Sequence, residues 1–153
     1  MSNVEAKNTS HTSARPGETG LRVRYAETDQ MGVVYHANYL VWFEVGRVEL
    51  MRQLGFDYKK MELEDNCHIV VVEASCRYKS PARYDDELLV ETEIASLRGS
   101  VLKFQYRVLR AGDHTLLAEG GTTHLITDRE LKKRSLPEKY VTAFARVRRD
   151  LHK

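Results

Sequence analysis

The 153-residue chain predicts an α+β fold: one long central helix wrapped by a curved antiparallel sheet of about five strands, plus a C-terminal helix. Three observations predict it. Tyr39, Leu40, Phe43, Leu50, Met51 and Leu54 recur at spacings that keep them on one side of a 3.6-residue helix over residues 37–54. Further on, β-branched and alternating segments follow one another through hairpin signals, which keeps the sheet antiparallel. Near the end, Ser135-Leu136-Pro137-Glu138 has the form of a capping box opening a helix over about 136–149.

In chain order, residues 1–19 are rich in Ser, Thr, Asn and Gly and nearly free of apolar side chains, which predicts a disordered leader before a single domain over 20–150. Residues 21–25 alternate apolar and basic side chains and predict a short strand. The helix over 37–54 follows, with Val41, Trp42 and Val45 covering much of its other side, so that it reads as enclosed. Gly55 stands just past it, where a left-handed cap costs glycine least. Residues 57–66 read as a polar connector. The run centred on Ile69-Val70-Val71-Val72 predicts a strand over 67–79, broken by Ser80-Pro81 and turned by residues 83–86.

Next comes a strand over 88–97, with Val90, Thr92 and Ile94 facing one way and Glu91 and Glu93 the other. Arg98-Gly99-Ser100 is a tight hairpin signal. Over 101–109, Leu102, Phe104, Tyr106 and Val108 alternate with Lys103, Gln105 and Arg107. Ala111-Gly112-Asp113 turns the chain into a last strand over 114–127. Gly120-Gly121 within it predicts a bulge or a close backbone approach to the helix. Such a sheet has open edges, which pairing with a second subunit would protect.

Composition narrows the function classes. At 42% hydrophobic and 30% charged residues this is an ordinary globular domain. No apolar run approaches the ~20 residues of a membrane span, and the polar N-terminus lacks the apolar core of a secretory signal. Cys67 and Cys76 lie nine residues apart in one strand-like stretch, which fits no common zinc pattern and no disulfide. Free thiols agree with a cytoplasmic protein. Residues 129–153 carry a net charge of +6 against −4 before them. Aromatics do not interleave with those basic residues and no nucleic-acid module is recognisable, so a solvated face is the expectation.

The chemistry concentrates just before the long helix. Asp29 lies in a polar loop that Gly32 allows to turn, and Tyr35 and His36 stand at the helix start. Unpaired N–H groups and a partial positive charge at a helix N-terminus suit a developing oxyanion. A carboxylate, an imidazole and an oxyanion donor set therefore fall within about seven residues, a constellation suited to acyl transfer. Each residue also has a plainer reading: Asp29 as a turn former, His36 as a contact at the helix start. Glu44 on the helix reads best as the i,i+3 partner of Arg47. No GxSxG elbow is present, which excludes the α/β-hydrolase route.

The motif YAETDQMGVVYHANYLVWFEVGR, with RYKSPARYDDELLVETEI, RGSVLKFQYRV and RSLPEKY after it, resembles the hotdog-fold acyl-CoA thioesterases of the 4-hydroxybenzoyl-CoA thioesterase type. Within that group it is most similar to the Tol–Pal-associated branch, over residues 21–144. The resemblance implies hydrolysis of an acyl-CoA to a free acid and CoA, with no cofactor beyond the CoA of the substrate and no metal. It assigns the catalytic carboxylate to Asp29, as nucleophile or general base. It assigns the carbonyl-polarising N–H to His36, whose ring also matches a catalytic histidine, and a catalytic tyrosine to Tyr25, which could equally be a strand core residue. By family position Arg98, Ser100 and Arg83 would meet the CoA phosphates. It further implies a homodimer or homotetramer, with acyl carrier protein or envelope-associated proteins as partners and no nucleic acid. A hotdog dehydratase or hydratase, or a non-catalytic acyl-carrier or partner-binding module, are the alternatives.

Overall fold

The computed structural model describes residues 17–150. Strand β1 (Glu18–Arg22) leads into a 3-10 turn (Tyr25–Glu27) and then helix α1 (Asn38–Gln53). A short helix α2 (Tyr58–Glu64) precedes β2 (His68–Tyr78), β3 (Glu87–Arg98), β4 (Val101–Arg110) and β5 (Leu116–Thr127), and α3 (Glu138–Asp150) closes the chain. The five strands form one antiparallel sheet in the order β1-β3-β4-β5-β2, so β1 and β2 are its edges.

The alternation read from the sequence sets the two faces of this sheet. Leu88, Val90, Thr92 and Ile94 of β3 and Leu102, Phe104, Tyr106 and Val108 of β4 are buried beneath α1. On the other face Glu91, Arg107, Glu119 and Arg77 lie side by side across four strands in a row of alternating charge. Helix α1 lays Tyr39, Phe43, Gly46 and Leu50 onto the sheet, and the Phe43 ring stacks on Tyr106 at 4.4 Å with 6° between planes. The close approach anticipated at Gly120 is made here. A Cβ on Gly120 would stand 2.2 Å from the Ser75 carbonyl oxygen and 2.8 Å from the Phe43 ring. Gly55, at φ +87°, ends the α1 region as expected.

Several local expectations are corrected. Glu18 and Thr19, read as leader, belong to β1, where they pair with Glu91 and Val90. An exposed edge strand needs little apolar content, so composition concealed it. Tyr25 is not in a strand but in the 3-10 turn. The connector over 57–66 contains α2, which Asp57 caps by accepting from the Lys59 N–H at 2.8 Å and which buries Met61. The last helix begins at Glu138, with the N–H groups of Tyr140 and Val141 donating to the Pro137 carbonyl, two residues beyond the start that the capping-box pattern indicates. Residues 1–16 of the leader lie outside the described residues.

Helix α1 is enclosed on one side only. Trp42 is buried with the sheet-facing residues, whereas Leu40, Val41 and Val45 are 39%, 49% and 37% exposed. The sheet takes the side of the helix that carries Tyr39, Phe43 and Leu50, and within one chain the valine side meets solvent. The Glu44–Arg47 pair is not made. Arg47 instead donates to the Tyr106 hydroxyl at 3.1 Å, which also lies 2.6 Å from the Thr122 hydroxyl.

Candidate active site

The loop between β1 and α1 is a compact hairpin rather than a flexible link. Thr28 and Val34 pair as an isolated bridge, and the Asp29 N–H donates to the Val33 carbonyl at 2.9 Å. Asp29 returns the constraint through its side chain, with Oδ1 accepting from the Met31 N–H at 2.9 Å. Its carbonyl accepts from the Gly32 N–H at 3.0 Å, and Gly32 sits at φ +77°, a conformation that an L side chain resists. Asp29 is thus held half-buried at the tip of a tight turn.

Glu27 ties this hairpin to the helix. Its carboxyl group is buried and accepts from the Trp42 indole N–H at 2.8 Å and from the Arg24 N–H at 2.8 Å. Its main-chain carbonyl accepts from the Tyr35 N–H at 2.8 Å and from Asn38 Nδ2 at 2.9 Å. Both ends of the loop and the first turns of α1 therefore converge on one residue.

Asp29 and His36 line one cleft of about 350 Å³ with Val33, Val34, Tyr39, Tyr78, Lys79, Ser80 and Pro81. At the start of α1 the Asn38 N–H is taken by the Tyr35 carbonyl, while the N–H groups of His36 and Ala37 have no hydrogen-bond partner among the described residues. Asp29 and His36 thus border the same space, with the unpartnered Ala37 N–H one residue further along the helix start. Tyr78, at the end of β2, donates its hydroxyl to the His36 carbonyl at 2.8 Å. Tyr39 accepts from the Ala82 N–H at 3.3 Å. Burial raises the pKa of Tyr39. It also raises that of Tyr78, to about 12 with the help of neighbouring Cys76 and Tyr39, so both hydroxyls stay protonated near neutrality. Cys67 and Cys76 are free thiols.

The other sequence-derived residues fall elsewhere. Tyr25 is 76% exposed and lies edge-on against Tyr84 at 5.7 Å, outside the lining of the cleft. Arg83 stands beside the loop, its Nη1 about 4.0 Å from where a Cβ on Gly32 would lie. Arg98 and Ser100 occupy the β3–β4 turn at the opposite end of the sheet. β3 has 12 residues, so Arg83 and Arg98 are separated by roughly 35 Å of strand. A single chain does not bring those three residues together. Sequence reasoning missed Glu27, Trp42 and Tyr78 in their present roles. The one signal was a carboxylate two residues before Asp29, in a stretch where Asp29 itself drew attention.

A larger depression of about 410 Å³ lies across the row of Glu91, Arg107, Glu119 and Arg77. Arg107 and Glu91 pair there at 3.2 Å, and its lining includes no residue of a helix.

A curved antiparallel sheet gripping one long helix defines the hotdog fold. Comparison with known proteins agrees: residues 23–144 match the Thioesterase-like superfamily, and the chain belongs to that family. It is 38% identical over 125 residues to the acyl-CoA thioester hydrolase YbgC of Escherichia coli O6:H1, covering 81% of this chain and 92% of that protein. Among solved structures it superposes on the hypothetical protein TT1821 from Thermus thermophilus with a TM-score of 0.78 at 38% identity, covering 85% of this chain and 98% of that one. It superposes on the DHNA-CoA thioesterase from Staphylococcus aureus with a TM-score of 0.82 at 28% identity, covering 89% and 94%.

Proposed function

We propose that this chain hydrolyses an acyl-CoA thioester to a free carboxylic acid and CoA. The observation that carries the reading is the shared cleft: Asp29 and His36 line one space, and the N–H groups of His36 and of Ala37 next to it have no partner among the described residues. The thioester oxygen takes the place of the missing acceptor at the helix start, where it is stabilised as charge develops on it. Asp29 then either attacks the carbonyl carbon, giving an acyl–Asp29 anhydride that water afterwards hydrolyses to the acid, or removes a proton from the attacking water. The C–S bond breaks, and CoA leaves as the thiol once its sulfur is protonated. The His36 ring, on the rim of the cleft, orients water or assists that departure. Tyr25 is the third residue of the proposed site on the strength of the motif alone, since its ring packs on Tyr84 outside the lining of this chain's cleft. No cofactor takes part, since CoA arrives with the substrate.

The motif over 25–47 supports the finer placement in the Tol–Pal-associated branch of the 4-hydroxybenzoyl-CoA thioesterase type. YbgC of E. coli, named an acyl-CoA thioester hydrolase, supports CoA as the carrier. Arg83 is on the Asp29 side of the chain, whereas Arg98 and Ser100 share the His68 end of the sheet. Two copies pairing their β2 edges antiparallel would set the Tyr78 end of one beside the His68 end of the other. The phosphates could then reach the second copy's hairpin. A homodimer or homotetramer follows from this, and a cytoplasmic protein meeting acyl carrier protein or envelope-associated proteins agrees with the branch. No helix among the described residues is long and apolar enough to cross a membrane.

The test is thiol release from a panel of aliphatic and aromatic acyl-CoAs by wild type, Asp29→Asn and His36→Ala. Asp29→Asn is expected to lower kcat by on the order of 10²-fold or more. His36→Ala keeps the backbone donor and is expected to lose less. Near-normal kcat in folded Asp29→Asn defeats the assignment. Product formation by addition or loss of water without thiol release would indicate a hydratase or dehydratase.

A further inference from the structure

We infer that Tyr78 is a positioning residue: its hydroxyl holds the His36–Ala37 peptide, and with it the free Ala37 N–H at the start of α1. The inference rests on the thioesterase reading above but stands on its own geometry. The His36 carbonyl has two donors. The helix supplies only the Tyr39 N–H at 3.4 Å, a long bond, while Tyr78 supplies a hydroxyl at 2.8 Å from another element. The peptide is a rigid plate with the His36 C=O on one edge and the Ala37 N–H on the other. Fixing the oxygen therefore fixes the direction of the Ala37 N–H. Accepting a short hydrogen bond at the oxygen also polarises the plate, which makes that N–H a better donor.

The surroundings hold Tyr78 in place for this task. Its ring meets the edges of Tyr39, at 5.1 Å and 88°, and of His36, at 6.3 Å and 90°. The chain just beyond it is pinned where the N–H groups of Lys79 and Ser80 both donate to the Leu117 carbonyl. Yet Tyr78 is about half exposed and outside the core, so its hydroxyl contributes little to packing. Because it stays protonated near neutrality, it acts as a fixed donor and not as a titrating acid or base. β2 is also an edge strand, so whatever shifts its end shifts the donors of the site with it.

The experiment compares wild type and Tyr78→Phe, which keeps the ring and removes only the hydroxyl. Steady-state thiol release from the acyl-CoA that wild type turns over best is measured against pH. The Ala37 amide is followed in ¹H–¹⁵N spectra without substrate. Expected are a kcat about 10-fold lower, below the cost of deleting an oxyanion donor outright, a KM within about twofold, a pH profile of unchanged shape and an upfield shift of the Ala37 amide proton. A kcat within twofold of wild type in folded Tyr78→Phe overturns the inference. So does a KM increase with kcat intact, which would make Tyr78 a binding contact, or the loss of a pH limb, which would make it an acid or base. An unmoved Ala37 amide overturns it whatever the kinetics show. Wild type inactive on every acyl-CoA defeats the functional reading alone, and the amide shift still decides whether Tyr78 holds the peptide.

Discussion

Trp42→Phe should weaken the protein out of proportion to the atoms removed. The indole N–H donates to Glu27 Oε2 at 2.8 Å within the core, so phenylalanine leaves one oxygen of a buried carboxyl group without a donor. A hydrogen bond to such a group contributes roughly 1.5–3 kcal/mol, and an orphaned buried acceptor adds a desolvation cost. A loss of about 2–3 kcal/mol is expected, equivalent in a chain of this size to a Tm lower by roughly 4–12 °C. Glu27→Gln tests the same bond from the other side. One amide oxygen cannot accept from both Trp42 and Arg24, so an NH₂ group must face one of the two donors. In the Trp42→Phe background that conflict disappears, so Glu27→Gln should cost at least about 1 kcal/mol less there than in wild type. Urea unfolding of the four proteins gives the cycle, with thiol release measured alongside, because Glu27 also receives Tyr35 and Asn38. Additive effects, within about 0.5 kcal/mol, would refute the idea that this buried bond ties the loop to the helix.

Gly120→Ala should destabilise by about 1–3 kcal/mol or more, because its Cβ meets a backbone oxygen and the Phe43 ring. Gly112→Ala, with nothing within 4 Å, should be nearly neutral in the same thermal melts. Burial, with the Arg47 charge adding to it, depresses the pKa of His124 from 6.5 to about 4, while its Nε2 lies 2.7 Å from the Thr122 hydroxyl and its ring edge meets Phe104. Below pH 6.5 the unfolded chain binds a proton that the folded one refuses. Stability from this residue is therefore complete above pH 6.5 and falls towards pH 4, by at most about 1.4 kcal/mol per pH unit. His124→Gln should flatten denaturation midpoints across that window, and an unchanged slope would count against the burial argument. Finally, light scattering at micromolar concentration should find at least a dimer, and an active monomer would remove the need for paired β2 edges.

Much of this molecule was legible in the order of its residues. Periodicity alone located α1 between Ala37 and Leu54, and alternation sorted β3 and β4 into a core face and a charged face, because burial repeats every 3.6 or every 2 residues. Gly99-Ser100 and the close approach at Gly120 were readable for the same local reason: a tight turn or a bare backbone demands glycine. Asp29 and His36 stood out because they lie seven positions apart and the loop between them must fold back. Other features carry no local signature. The first residues of edge strand β1 look like leader, and Asp57-capped α2 looks like a connector. The sequence could not say that Trp42 turns inward while Val41 and Val45 face out, since the curvature of a five-stranded sheet decides how much of a helix is covered. Nor could it join Glu27 to Trp42, Arg47 to Tyr106 or Tyr78 to the His36 carbonyl, contacts spanning 15, 59 and 42 positions. Hydrophobic pattern is a property of neighbours along the chain. A hydrogen bond between distant residues exists only once packing has brought donor and acceptor to within about 3.2 Å, and that is why tertiary structure alone determined what holds this site in place.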